Sequence, residues 1–132
     1  MGWRESKEES TESLSQAGII SRDLVAQLDS AGVFPKERAP YAHQLDSIMA
    51  AKEGYAAAVK PTVMVSAATG AGKTECFLLP LIDELYRNPP VEGEGVSAII
   101  LYPMNALVTD QVDRLMAWLK GQDRITAFHF TS

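Results

Sequence analysis

Apolar positions in this chain change their period along its length. Over 14–28, Leu14, Ala17, Ile20, Leu24, Val25 and Leu28 fall near the spacing of one helix face, and Gly32 follows as a stop. Pro35 and Pro40 bracket a charged stretch and remove backbone donors, so 34–40 reads as a loop. Further helices are predicted over 41–55, 71–86 and 104–120, the last with an apolar face through Leu107, Val108, Val112, Leu115, Met116 and Leu119. Pro80 lies inside the 71–86 pattern, frees the carbonyl of Cys76 and should bend that helix. Between helices the pattern switches. The runs TVMVSA at 62–67 and SAIILY at 97–102 are short, apolar and rich in β-branched or bulky residues, as in a buried parallel sheet, and ITAFHF at 125–130 alternates like a third strand.

Strand, helix, strand, helix, strand is the order of crossover connections. It predicts an α/β fold with a parallel sheet, flanking helices and ligands at the carboxyl ends of the strands. Residues 1–13 are polar and rich in Glu and Ser, the composition of a disordered leader; 14–39 form an N-terminal helix and loop, and 40–132 the α/β part.

Composition narrows the class. With 132 residues, 46% hydrophobic and 22% charged, the chain suits one domain with a real core. The lone cysteine, Cys76, cannot form an internal bridge, and no apolar run approaches the roughly 20 residues that span a bilayer. The first residues lack the apolar core of a secretory signal, so a cytoplasmic location and no membrane partner are expected. A net charge of -5 argues against a broad cationic surface. It leaves open strand binding through backbone amides, hydroxyls and helix N-termini.

The chemistry concentrates at 67–74, Ala-Ala-Thr-Gly-Ala-Gly-Lys-Thr, which follows a predicted strand and opens a predicted helix. Gly70 and Gly72 permit close backbone approach, so amides there can point at phosphate oxygens. Lys73 adds a mobile charge for the β and γ phosphates, and the Thr74 hydroxyl can ligate Mg²⁺. Ala67 stands where the phosphate-loop pattern G-x-x-x-x-G-K-[ST] has its first glycine, a one-methyl departure. Binding of a nucleoside triphosphate is the expectation from these residues alone.

Two flanking segments extend the pattern. Tyr41-Ala42-His43-Gln44 lies upstream, and Tyr102-Pro103-Met104-Asn105-Ala106-Leu107 lies downstream, followed by Thr109, Asp110 and Gln111. A glutamine amide offers the donor and acceptor that read adenine, although Gln44 also suits the first turn of an exposed helix. The downstream segment lies where a strand should end and a helix begin, so its free amides and the Thr109 hydroxyl could meet phosphates; Asn105 is equally a helix cap. Taken in order with SAATGAGKTECFLLP at 66–80, these segments resemble the Q-motif, motif I and motif Ia of superfamily 2 DEAD/DEAH-box helicases, across 40–132. The spelling is most similar to bacterial DNA repair and phage-defence helicases.

The resemblance implies the first part of a RecA-like, ATP-binding helicase domain. On it, Lys73 and Thr74 are the catalytic positions and Thr74 the Mg²⁺ ligand. Gln44, Thr69, Gly70, Ala71, Gly72, Lys73 and Thr74 hold ATP, and Pro103, Asn105 and Thr109 hold nucleic acid, with DNA favoured over RNA by the 102–107 spelling. Asp110 and Gln111 have only the family pattern behind them, because exposed polar residues on a helix usually face water. No acidic D-E-x-[HD] motif follows Lys73; Asp83-Glu84 lies too far along the same helix to replace it. The rest of the helicase core is therefore an expected partner, and the chain alone is expected to show weak or no activity. A small P-loop kinase or GTPase, an RNA helicase fragment and a non-enzymatic remnant or interaction module are the rival readings.

Blander roles are assigned to the remaining conspicuous residues. Cys76 reads as a small packing residue, and Trp118 lies on or beside an apolar helix face. His43 and His129 lack zinc-site spacing, so no structural metal is expected.

Overall fold

In the computed structural model, the structure describes residues 9–59, 62–64, 73–89, 91–102 and 105–130, with backbone alone at 105–108. Among them lie five helices: α1 (Thr11–Gln16), α2 (Arg22–Ser30), α3 (Ala42–Ala56), α4 (Lys73–Arg87) and α5 (Asn105–Trp118).

The face predicted as one helix over 14–28 is divided between α1 and α2. Gly18, at φ 77°, takes a left-handed conformation that ends α1, with Gly18 N donating to Ser15 O at 3.1 Å and Ile19 N to Leu14 O at 2.9 Å. Gly32, at φ 73°, closes α2 in the same way, with Val33 N donating to Leu28 O at 3.1 Å. At six residues α1 is too short to be stable in isolation. It begins inside the stretch read as a leader. Ser10 caps it, accepting from Ser13 N at 3.1 Å, and the amides of Thr11 and Glu12 donate to the carbonyls of Arg38 and Lys36 in the 34–40 loop, each at 3.0 Å.

One apolar core joins these helices. Leu14, Leu24, Leu28, Phe34, Ile48, Leu78, Leu79 and Ile82 are its buried centre, with Trp118 and Leu119 closing it from the end of α5. α4 runs on through a buried Pro80 and lies between α3 and α2, packing most extensively on α3.

The predicted parallel sheet does not form: among the described residues the fold is helical, which corrects the α/β, RecA-like expectation. In 62–64, 97–102 and 125–130 the backbone forms no ladder; many apolar side chains stand in solvent, Leu101 at 87% exposure and Phe130 at 91%, while Ile125 is buried in the helical core and Ile100 and Ala127 pack against it. Residues 65–67 of the first run lie outside the described residues. The physical reason is that a helix closes its hydrogen bonds within the segment, whereas a parallel strand takes them from a partner distant in sequence. An apolar run records suitability for burial and nothing about whether a partner pairs with it. Among the described residues no helix is long and apolar enough to cross a membrane.

Candidate nucleotide site

Two helix starts converge here. The first turn of α4 carries Lys73 and Thr74, and the first turn of α3 carries His43 and Gln44. They meet at Cys76, whose Sγ lies 3.9 Å from the carbonyl oxygen of His43. Burial pushes the Cys76 thiol above its usual range, which suits a packing residue and not a nucleophile.

Lys73 is exposed and forms no ion pair with any described residue. A helix start leaves amides without intrahelical partners and favours negative charge. Its ammonium therefore stands beside a helix end already biased toward anions. Thr74 is half-buried, and its Oγ1 donates to Gln111 Oε1 of α5 at 3.4 Å. The same oxygen accepts from Tyr102 Oη at 3.3 Å. One turn along α5, Arg114 pairs with Glu75 Oε1 at 3.4 Å, while Glu75 Oε2 is buried without a hydrogen-bond partner. Thr74 and Glu75 of α4 are thus both tied to α5.

Gln44 is only 1% exposed, and its Oε1 accepts from the backbone amide of Tyr41 at 2.9 Å, capping α3. The exposed-helix alternative for this residue does not describe it. Tyr41 stacks on His43 with ring centroids 5.6 Å apart and planes 15° from parallel, and the Arg38 guanidinium lies 5.8 Å from the Tyr41 ring centroid. Aromatic and cationic surface therefore adjoins the buried amide.

Of the remaining sequence-predicted positions, Thr69, Gly70, Ala71, Gly72 and Pro103 lie outside the described residues. Asn105 begins α5, and Thr109 lies on its exposed side. Two partnerships escaped sequence reasoning. Gln111 is half-buried and bonded, not merely facing water, and Asp83 is a buried structural carboxylate. The only sequence signal for Gln111 was its place in the downstream motif. Among the described residues no cluster of three or more His, Cys, Asp or Glu could hold a metal ion.

Comparison with known proteins adds an independent line. The family model described as DEAD/DEAH box helicase matches residues 41–131. The chain is 36% identical over 98 residues to Druantia protein DruE of Escherichia coli, covering 70% of this chain and 5% of that protein. It is 39% identical over 64 residues to ATP-dependent RNA helicase HCA4 of Saccharomyces cerevisiae, covering 48% of this chain and 8% of that one. It is 27% identical over 104 residues to ATP-dependent RNA helicase ROK1 of Meyerozyma guilliermondii, covering 79% and 18% respectively. The chain thus spans less than a fifth of each of these relatives. No solved structure matches it.

Proposed function

The chain belongs to the DEAD/DEAH box helicase family, and from that premise we propose that it is the ATP-binding part of an ATP-dependent nucleic-acid helicase or translocase. The observation that carries this reading is the start of α4, where an exposed Lys73 ammonium and the Thr74 hydroxyl share a helix end next to α3 and Gln44. Bound Mg·ATP would supply the phosphoanhydride whose cleavage drives movement. Lys73 would offset triphosphate charge and Thr74 would present a hydroxyl oxygen to Mg²⁺, and the phosphate-loop pattern assigns residues 69–72 to phosphate contact through their backbone amides. Magnesium commonly binds through few protein ligands and the substrate's own phosphates, so a single hydroxyl such as that of Thr74 suits it.

Gln44 reads adenine in this proposal by releasing or sharing its cap on Tyr41. Pro103, Asn105 and Thr109 hold the phosphates of one strand at the start of α5. DNA is the track favoured by the 102–107 spelling. RNA is the second reading, favoured by the names of the two fungal relatives.

Titration with a fluorescent ATP analogue, with and without Mg²⁺, tests the site. ATP should displace the analogue at far lower concentration than GTP, and Lys73→Ala should weaken binding by about tenfold or more, as befits loss of a charge-assisted bond. Equal displacement by GTP would favour a GTPase or kinase. Binding unchanged by Lys73→Ala would favour a non-enzymatic module. Competition between single-stranded DNA and RNA of one sequence decides the track.

A further inference from the structure

We propose that Gln111 is a positioning residue that aims the Thr74 hydroxyl at the nucleotide-bound cation; the proposal rests on the nucleotide reading above. A threonine hydroxyl has one proton and two lone pairs. If the proton points toward the cation, the oxygen is a poor ligand. If an acceptor on the opposite side takes the proton, the lone pairs are free for the metal. Gln111 supplies that acceptor, because its Oε1 receives Thr74 Oγ1 at 3.4 Å.

The amide itself is held. Tyr102 Oη donates to the same oxygen at 3.3 Å, so two hydroxyl donors fix which end of the Gln111 amide faces Thr74. An amide oxygen has two lone pairs, enough for both. Both bonds are long for O–H···O contacts. Polarising the Thr74 oxygen makes its proton a better donor, so the bond to Gln111 strengthens as the hydroxyl becomes a ligand. The second tie between these helices, Arg114 to Glu75 at 3.4 Å, holds α5 in register one residue further along α4. In this role Gln111 acts through Thr74 and needs no contact of its own with phosphate or base.

The test is equilibrium binding of a fluorescent ATP analogue to the full chain, titrated with Mg²⁺ and repeated in EDTA. Gln111→Leu should raise the half-saturating Mg²⁺ concentration by about three- to tenfold, the worth of one hydrogen bond, with metal-free affinity unchanged. Gln111→Glu keeps an acceptor oxygen and should restore the Mg²⁺ requirement to that of the parent chain or below. Gln111→Met repeats the test should the leucine variant melt early. An unchanged Mg²⁺ requirement in both apolar variants, or an equal loss of affinity with and without metal, overturns the proposal. If the parent chain binds no analogue, the nucleotide reading itself fails, a separate outcome.

Discussion

Asp83 Oδ1 accepts a 2.6 Å hydrogen bond from the backbone amide of Ser21, so a carboxylate in the middle of α4 holds the residue from which α2 starts. Its other oxygen pairs with Arg87 Nε at 3.0 Å, and the Arg87 guanidinium reaches Gly18 O at 2.9 Å. Lys52 of α3 reaches the carbonyls of Gly18 and Ile19 at 3.0 and 3.1 Å. The turn between α1 and α2 is therefore fastened to α3 and α4.

That arrangement predicts unequal costs along one network. Asp83→Ala leaves a backbone donor and a guanidinium without their acceptor and should destabilise the chain by about 2 kcal/mol, the usual cost of orphaning a partly buried polar group. Arg87 is 37% exposed at its side chain, so Arg87→Ala should cost less than about 1 kcal/mol. Urea denaturation gives both values. Equal losses, or an Asp83 variant within about 0.5 kcal/mol of the parent, would remove the carboxylate from the account of how α2 is held.

Gly18 supplies a purely conformational test. A Cβ there would meet nothing within 4 Å, yet φ is 77°, so the cost of Gly18→Ala is backbone strain alone, about 1–2 kcal/mol. Gly95 also has open space around it and no positive φ, and Gly95→Ala should stay within about 0.5 kcal/mol. Thermal melts of the two variants compare them directly. A Gly18 variant as stable as the Gly95 variant would mean that the break between α1 and α2 does not need the left-handed residue.

These features mark what local sequence conveys. The helices α3, α4 and α5 and the stop at Gly32 were legible because a helix is closed by its own residues, at spacings a reader can count. The break at Gly18 was hidden because Ile20 is buried beside Leu14 and Leu24 and so continues the helical spacing across a turn. The sheet was misread because 97–102 and 125–130 have the composition of buried strands without the ladder that makes them strands. At the candidate site, Lys73 and Thr74 stand out in the sequence because the phosphate-loop pattern is contiguous, and their role is the proposal made above. Gln111 to Thr74 and Asp83 to Ser21 join residues 37 and 62 apart, and such pairs leave no periodic trace.

Gln44 should separate two roles by chemistry. Its Oε1 caps α3 through the Tyr41 amide, and the proposed reading of adenine needs the amide NH₂ as well. Gln44→Glu keeps an acceptor for Tyr41 N and removes the donors. Because the position is only 1% exposed, the buried carboxylate should itself cost about 1 kcal/mol or more, while ATP loses its advantage over GTP. Gln44→Ala should lose both the cap and the ATP preference, at about 1 kcal/mol for the cap. Melting curves and paired ATP and GTP competition make the distinction; a glutamate variant that still prefers ATP would leave Gln44 as a cap only.

Cys76, Tyr55, Tyr86 and Tyr102 all have their pKa raised, in each case chiefly because burial disfavours the anion. Each is neutral when protonated. Below the unfolded values, 9.0 for the thiol and 10.0 for the phenols, folded and unfolded chains hold the same protons and the stability from these groups is fully present. Above them the unfolded chain releases protons first, so it gains from rising pH and the folded state does not; stability falls until each folded pKa is passed. Melting temperature should therefore decline from about pH 9 upward. Tyr102→Phe should flatten the part of that decline above the phenol value, and iodoacetamide should alkylate Cys76 slowly in native buffer and rapidly in urea. A melting temperature that holds level to pH 11 or rises would show that these four groups ionise as readily in the folded chain as in the unfolded one.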